Sequence, residues 1–363
     1  MAPARVMPGF SRSGPKATWE QLGAFSFVQL ADTQFGMLDQ AFSAEWYRRA
    51  RRVLRVLCCW SGLEKRMLPV PGFRVPSSRT PGQPLIEVEK DFARRAVRAI
   101  NRMAPRPVFA IVCGDLVNSF PNTQPTRHEA EVAEFKEIFR ELHPDIALVC
   151  VCGNHDVGER PTAATIEAWR ADFGDDYFSF WVGGVKFVCI NSQLYKDASG
   201  APELAMEQDR WLDAELSLAR SEGARRVIVF SHIPPFIHDP DEGSGYFPLE
   251  KEVRHRLLAK MASNNVSHWF CGHYHRNAGG VYCLPCTDPE GNSVASSSKN
   301  RLEVVTTAAL GANIGTDPSG DPINLSGMSD IYAELNSSGL RVVDIDEHNV
   351  SHRFMSLLEL QEK

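Results

Sequence analysis

Within its 363 residues the chain lacks any apolar run near the ~20 residues that a membrane span requires. The opening stretch, MAPARVMPGFSRSGPKATWE, has no continuous hydrophobic segment, which argues against a secretory signal and reads residues 1–20 as a mobile lead-in. There is no excess of positive charge. A formal net charge of −6 disfavours nucleic acid or an anionic membrane as partner, but leaves a phosphorylated substrate open, because a bound metal supplies positive charge locally. There is no even set of cysteines for a disulfide framework. The count is nine, and Cys113, Cys150, Cys152, Cys189 and Cys271 lie in or beside apolar runs, where thiols pack as small hydrophobes. This pattern reads as a reducing, cytoplasmic setting. Cys283 and Cys286 form a C-x-x-C without a second pair, so it reads as incidental rather than as a zinc site. Internal repeats are also absent.

What the chain does have is polar chemistry at strand ends. The apolar runs FSFVQLA, VFAIVC, IALVCVC, RVIVFS and VSHWFC are each followed by metal-ligand side chains. The clusters are Asp32-Thr33-Gln34, Gly114-Asp115, Gly153-Asn154-His155-Asp156, Ser231-His232 and Gly272-His273-Tyr274-His275. Burying such groups unpaired costs several kcal/mol each, roughly, whereas strand ends are where α/β folds converge their chemistry. Asp32 and Asp115 offer hard carboxylate oxygens, and Asp115 has two with which to bridge a pair of ions. Gln34 and Asn154 offer neutral amide oxygens. His155 is suited to protonate a leaving group, with Asp156 beside it to orient the ring and raise its pKa. His273 and His275 project the same way if extended, and His232 stands alone after its strand.

The intervening pattern predicts an α/β fold. Val88, Phe92, Ala96, Ile100 and Met103 recur at helical spacing over 87–104, and Pro105 and Pro107 end that helix. Helices are also expected at 128–142, 208–220 and 249–262, and strands at 25–31, 108–113, 146–152 and 266–271. YFSFWV and VKFVCIN flank Gly183-Gly184, a hairpin signal within 177–191. EVVTTAA and LRVVDID supply later strands. Alternating strands and helices predict a largely parallel sheet. One domain over residues 21–357, with two packed sheets and helices outside, is expected.

The ordered set D-x-Q, G-D, G-N-H-D, H, G-H-x-H closely resembles the signature of the calcineurin-like metallophosphoesterases. The resemblance covers most of residues 25–277. LADTQFG, GNHDVG, PTAATIE, GDDYFSFWVGGVKF, QDRWLDAEL and GHYHRNAGG narrow it to a eukaryotic, cytosolic serine/threonine-protein phosphatase branch of that family. It implies a four-layer metallophosphoesterase sandwich, two mixed β-sheets packed face to face and flanked by helices. Segments near 51–86, 283–300 and 316–336 look like insertions relative to that branch. The resemblance assigns Asp32, Gln34 and His275 to a first metal, Asp115 to both, and Asn154, His232 and His273 to the second. It makes His155 the general acid and Asp156 its orienter, with Arg276 as a phosphate contact or a solvent-facing arginine. Gln34 stands where most of the superfamily has histidine, which weakens the first site. The arginines that conventional phosphoprotein phosphatases carry beside the second and third motifs are absent.

Spacing alone gives metal-dependent phosphoester hydrolysis, with two divalent cations drawn from manganese, iron, zinc or magnesium. The resemblance implies a phosphorylated protein as substrate and hydroxide, bridging the two cations, as the in-line nucleophile. A monomer without nucleic-acid or membrane partners is expected. A phosphodiesterase acting on a nucleotide or lipid headgroup, and a metal-poor interaction scaffold, are the alternative readings.

Overall fold

The structure is a computed structural model that describes residues 24–43, 73–74, 84–284, 286–287, 293–294, 301–315 and 331–361. The expected lead-in and the greater part of the three expected insertions lie outside the described residues.

The first apolar run forms β1 (Phe25–Leu30), buried along its whole length. Burial on both faces explains its unbroken hydrophobicity. Phe25 and Phe27 enter one core, and Val28 and Leu30 enter another. β2 (Phe109–Cys113) pairs parallel with β1, and β3 (Ala147–Val151) pairs parallel with β2. Next come the hairpin strands β4 (Phe178–Val182) and β5 (Val185–Cys189), joined through Gly183 at φ 55° and Gly184 at φ 79°, the left-handed pair that a tight two-residue turn needs. β6 (Arg226–Phe230) and β7 (Val266–Cys271) extend that sheet in parallel. β8 (Ala278–Cys283) is antiparallel to β9 (Arg301–Thr306), which in turn lies parallel to β7. β10 (Gly339–Ile345) returns antiparallel to β1, and β11 (Val350–Ser356) pairs with β10.

The result is a five-stranded sheet in the order β11-β10-β1-β2-β3 and a six-stranded sheet in the order β4-β5-β6-β7-β9-β8. The five-stranded sheet is parallel from β1 to β3 and antiparallel on its β10-β11 side, and the six-stranded sheet has a parallel centre with antiparallel edges, so the parallel expectation holds for the strands that carry the motifs. Aromatic rings join the two sheets. Phe27 stacks on Phe109 with centroids 4.7 Å apart and meets Phe187, Phe230 and Phe270 edge-on at 5.7, 5.6 and 5.9 Å. Offset and edge-on contacts of this kind add about 0.5–1.5 kcal/mol per pair beyond area burial.

Helices cover the outer faces. α1 (Ile86–Arg102) and α2 (Pro125–Phe139) place Phe92, Ala96, Ile100, Phe135 and Phe139 against Val28, Leu30 and Val112. α3 (Pro202–Ser221) and α4 (Lys251–Ser263) place Leu212, Leu216, Leu257 and Met261 against Val188, Val229 and Trp269. This is the expected four-layer α/β sandwich. α2 and α3 begin earlier than periodicity predicts, because Pro125 and Pro202 occupy their first turns, where the missing N–H costs nothing.

Candidate metal centre

The parallel strands point their carboxyl ends to one edge, and every candidate side chain comes from the segments that follow them. Asp32 follows β1, Asp115 follows β2, Asn154 follows β3, His232 follows β6, and His273 and His275 follow β7. The turns are stitched to one another. The Asp32 amide donates to the Gly114 carbonyl at 3.1 Å, Gln34 to Asp115 at 2.9 Å, and Gly272 to His232 at 3.0 Å. Among the described residues six non-glycine positions have positive φ, and five of them are Asp32, Gln34, Asp115, His273 and His275. Such conformations cost of order 1–3 kcal/mol each and persist where surrounding structure imposes them, often at functional sites. Gly114 meets a second constraint: a Cβ there would lie 2.3 Å from the His232 ring.

His232 is the centre of the arrangement. Its Nδ1 donates to the Cys113 carbonyl at 2.8 Å, which leaves Nε2 as the lone-pair nitrogen of the neutral ring. That Nε2 lies 3.0 Å from Asn154 Oδ1, 3.2 Å from Asp115 Oδ2 and 3.1 Å from His273 Nδ1. A carboxylate oxygen, an amide oxygen and two ring nitrogens thus converge, and one proton cannot satisfy them all. Burial alone would lower the His232 pKa, but the facing Asp115 carboxylate overcomes it and lifts the value to about 9. The pocket attracts positive charge. Burial would raise Asp115, yet His232 and His155 hold it below the usual carboxylate range.

The other half is built around Asp32. His275 Nδ1 donates to the Ala312 carbonyl at 2.6 Å and presents Nε2 at 3.5 Å from Asp32 Oδ1. This carbonyl support is the kind that metal-bound histidines use to fix their tautomer. The backbone N–H of His273 donates to both Asp32 oxygens at 3.1 and 3.0 Å. Gln34 Nε2 reaches Asn118 Oδ1 at 3.4 Å, while its buried Oε1 has no hydrogen-bond partner. Burial raises Asp32 well above its ordinary range, pulls His275 down to about 4, and together with His232 holds His273 well below its ordinary value. An orphaned amide oxygen, two buried carboxylates and three imidazoles fit divalent cations of intermediate softness.

His155 sits beside the cluster. Its backbone N–H donates to Asp115 Oδ1 at 2.8 Å, its Nδ1 donates to the Asn118 carbonyl at 2.5 Å, and its ring stacks on Phe120 at 4.4 Å. Asp156 does not orient this ring. Its carboxylate accepts from the amides of Leu116 at 3.0 Å and Gly153 at 2.7 Å, capping the one-turn helix Asn154–Val157. Successive helical residues point about 100° apart, so adjacency in sequence separates the two side chains. Burial and the Asp115 charge push Asp156 up to about 8. Arg276 is also committed elsewhere: its Nε donates to the Ile314 carbonyl at 2.7 Å, as does its Nη2, so it braces the loop that carries Ala312 instead of offering a free phosphate contact.

Three contributors carry no pattern that singles them out. Asn118 supplies the carbonyl on His155. Glu159 Oε1 accepts from Asn154 Nδ2 at 2.9 Å and from the Tyr246 hydroxyl at 2.8 Å. The Tyr246 ring lies 5.1 Å from that of His273. Only the place of Glu159, just after the third motif, is a local signal.

Cys113, Cys150, Cys152, Cys189, Cys271 and Cys283, all in or beside strands, are free. No helix among the described residues is long and apolar enough to cross a membrane. Serine/threonine-protein phosphatase CPPED1 of Bos taurus is 35% identical over 362 residues, spanning 100% of this chain and 92% of that protein. The Homo sapiens protein of the same name is 40% identical over 278 residues, 76% of each chain. Among solved structures, a dimetal phosphatase from Danio rerio superposes with a TM-score of 0.52 at 14% identity, over 93% of this chain and 98% of that one. A purple acid phosphatase from yellow lupin (Lupinus luteus) gives 0.53 at 12% identity, over 93% and 52%. The calcineurin-like phosphoesterase family model matches residues 25–277, the span that holds all five clusters, and the chain belongs to that family.

Proposed function

We propose that the chain hydrolyses phosphomonoesters of serine and threonine in proteins, with Asp32, Gln34, Asp115, Asn154, His232, His273 and His275 holding two divalent cations. The observation that carries this reading is the convergence of Asn154, Asp115 and His273 on His232 Nε2. Six relatives named as serine/threonine-protein phosphatases, at 34–40% identity, support the substrate class. Buried free thiols support a reducing, cytoplasmic setting.

When bound, such a cation pair supplies Lewis acidity that neutralises phosphate charge and brings the pKa of water from 15.7 to about 7. The chain's own residues do the rest. Asp115, with one oxygen at His232 Nε2, would serve both halves through one carboxylate. His155 spends Nδ1–H on the Asn118 carbonyl, so Nε2 is the nitrogen that delivers a proton to the departing alkoxide. Phe120 holds that ring by stacking, and its backbone bond to Asp115 ties its position to the ligand carboxylate. Asp156 ties together the two turns that carry Asp115 and His155.

The test is turnover of a phosphoserine peptide, an aryl phosphomonoester and an aryl phosphodiester by the metal-loaded protein, alongside elemental analysis. The reading expects two metal equivalents and preference for monoesters. Faster diester turnover overturns the substrate class, and absence of bound metal overturns the centre itself.

A further inference from the structure

A second group of metal-type donors lies away from the strand ends. His268 on β7 and Glu303 on β9 are directly paired neighbours on adjacent parallel strands. His352 comes from β11, in the other sheet. His352 Nε2 lies 3.2 Å from Glu303 Oε1, and His268 Nε2 lies 3.7 Å from Glu303 Oε2. One donor atom from each of the three falls within 4.8 Å of the others. Among the described residues the only other group that meets this geometry is Asp115, His232 and His273.

We propose that His268, Glu303 and His352 form a separate site for one divalent transition-type cation, which pins the edge strand of one sheet to the centre of the other. The donor set selects the ion. Two imidazoles and a carboxylate suit zinc and its neighbours, whereas calcium and magnesium want oxygen throughout. The spacing is close to what is needed, since donors about 2.0 Å from a tetrahedral ion stand about 3.3 Å apart. His268 Nδ1 is bonded to Ser267 Oγ at 3.0 Å, which leaves Nε2 as the nitrogen nearest the carboxylate. The Glu303 side chain is 31% exposed, which leaves water room to complete the coordination.

One contact must change. Arg341 Nη1 donates to His352 Nδ1 at 3.0 Å, and a cation on Nε2 requires the ring proton on Nδ1. Arg341 then gives up that bond and keeps its bonds to Thr307 Oγ1 at 2.8 Å and Asn277 Oδ1 at 2.7 Å. The competing possibility is that Glu303, the two histidines and Arg341 are only an ion-pair network between the sheets.

The full chain, Glu303→Gln and His352→Ala are each equilibrated with zinc, dialysed and assayed for metal content and melting temperature. Both variants should hold one equivalent less than the parent and lose its zinc-dependent rise in melting temperature, with aryl phosphate turnover unchanged. Because the result is a difference, it stands however many ions the strand-end centre holds. Equal zinc content in folded variants and parent overturns the site and leaves the ion-pair network. Should both variants fail to fold, anomalous diffraction at the zinc edge from the parent reads the same question: a peak among the three side chains supports the site and its absence overturns it.

Discussion

The two halves of the strand-end centre are built to different tightness. Around His232, three donor atoms from three other residues lie within 3.0–3.2 Å of one ring nitrogen. Around Asp32, the His275 nitrogen is at 3.5 Å, His232 Nδ1 is at 3.9 Å, and the Gln34 oxygen has no partner. The tight half is braced from behind, by the Cys113 carbonyl on His232 and by Glu159 on Asn154. In the loose half the histidine is braced by Ala312, but the Gln34 oxygen is not held. Pre-organised donors lose less freedom when an ion arrives, so the tight half should fill at lower metal concentration. Metal titration of the apo protein should therefore show two classes of site.

The largest expected effect removes the shared element. Asp115→Asn should release both ions and bring turnover to background, a loss beyond the roughly 10²–10³-fold of a single electrostatic donor. Elemental analysis checks it, and retention of two metal equivalents would sink the idea of one carboxylate serving both halves. Next comes His155→Ala, which should leave both halves loaded. It should cost about 10²–10⁴-fold in kcat on a phosphoserine peptide, and much less on an aryl phosphate, whose leaving group needs no acid. Full activity on the peptide would refute the assignment.

Glu159→Ala acts on the tight half alone. Glu159 accepts the Asn154 N–H and thereby fixes the amide with its oxygen toward His232. Without it the amide is free to turn its nitrogen inward, and loss of such an outer partner typically weakens metal affinity about 10–100-fold. Glu159→Gln keeps a carbonyl acceptor and should retain the affinity. If both variants lose it equally, charge rather than orientation is what Glu159 provides.

These residues also mark how far the sequence could be read. The motif strands and the gathering of Asp32, Asp115, Asn154, His232, His273 and His275 at their ends are legible, because a polar cluster after a fully apolar run has few structural uses. Residues outside the motifs were not. Tyr246 reaches Glu159 across 87 positions, a contact that no local pattern encodes. Asp156 reads as the orienter of His155 from adjacency in sequence, but the Gly153 turn folds its carboxylate back onto the backbone. Arg276 fits either a phosphate contact or a solvent-facing role in the sequence, and the Ile314 carbonyl that engages it lies 38 positions away. The β8 and β11 strands were not anticipated. β8 carries Gly279-Gly280, a poor strand signal, and β11, VSHRFMS, lacks an unbroken apolar run.

The smallest expected change bears most directly on the unequal halves. Gln34 sits at φ 40°, buried, with a neutral oxygen that neither neutralises charge nor is held by a second contact. Gln34→His would put an imidazole, a stronger donor for ions of intermediate softness, in the same strand-end turn. A gain of about 1.4 kcal/mol in the loose half corresponds to a tenfold lower midpoint for the weaker class of metal site. The tighter class should not move, since Gln34 touches none of Asn154, His232 and His273. The two midpoints should draw together, and at limiting metal the activity should rise. A shift of the tighter midpoint instead would mean that the halves are not separable. An unchanged weaker midpoint would mean that Asp32, His275 and Asp115 already set its affinity, with Gln34 a bystander.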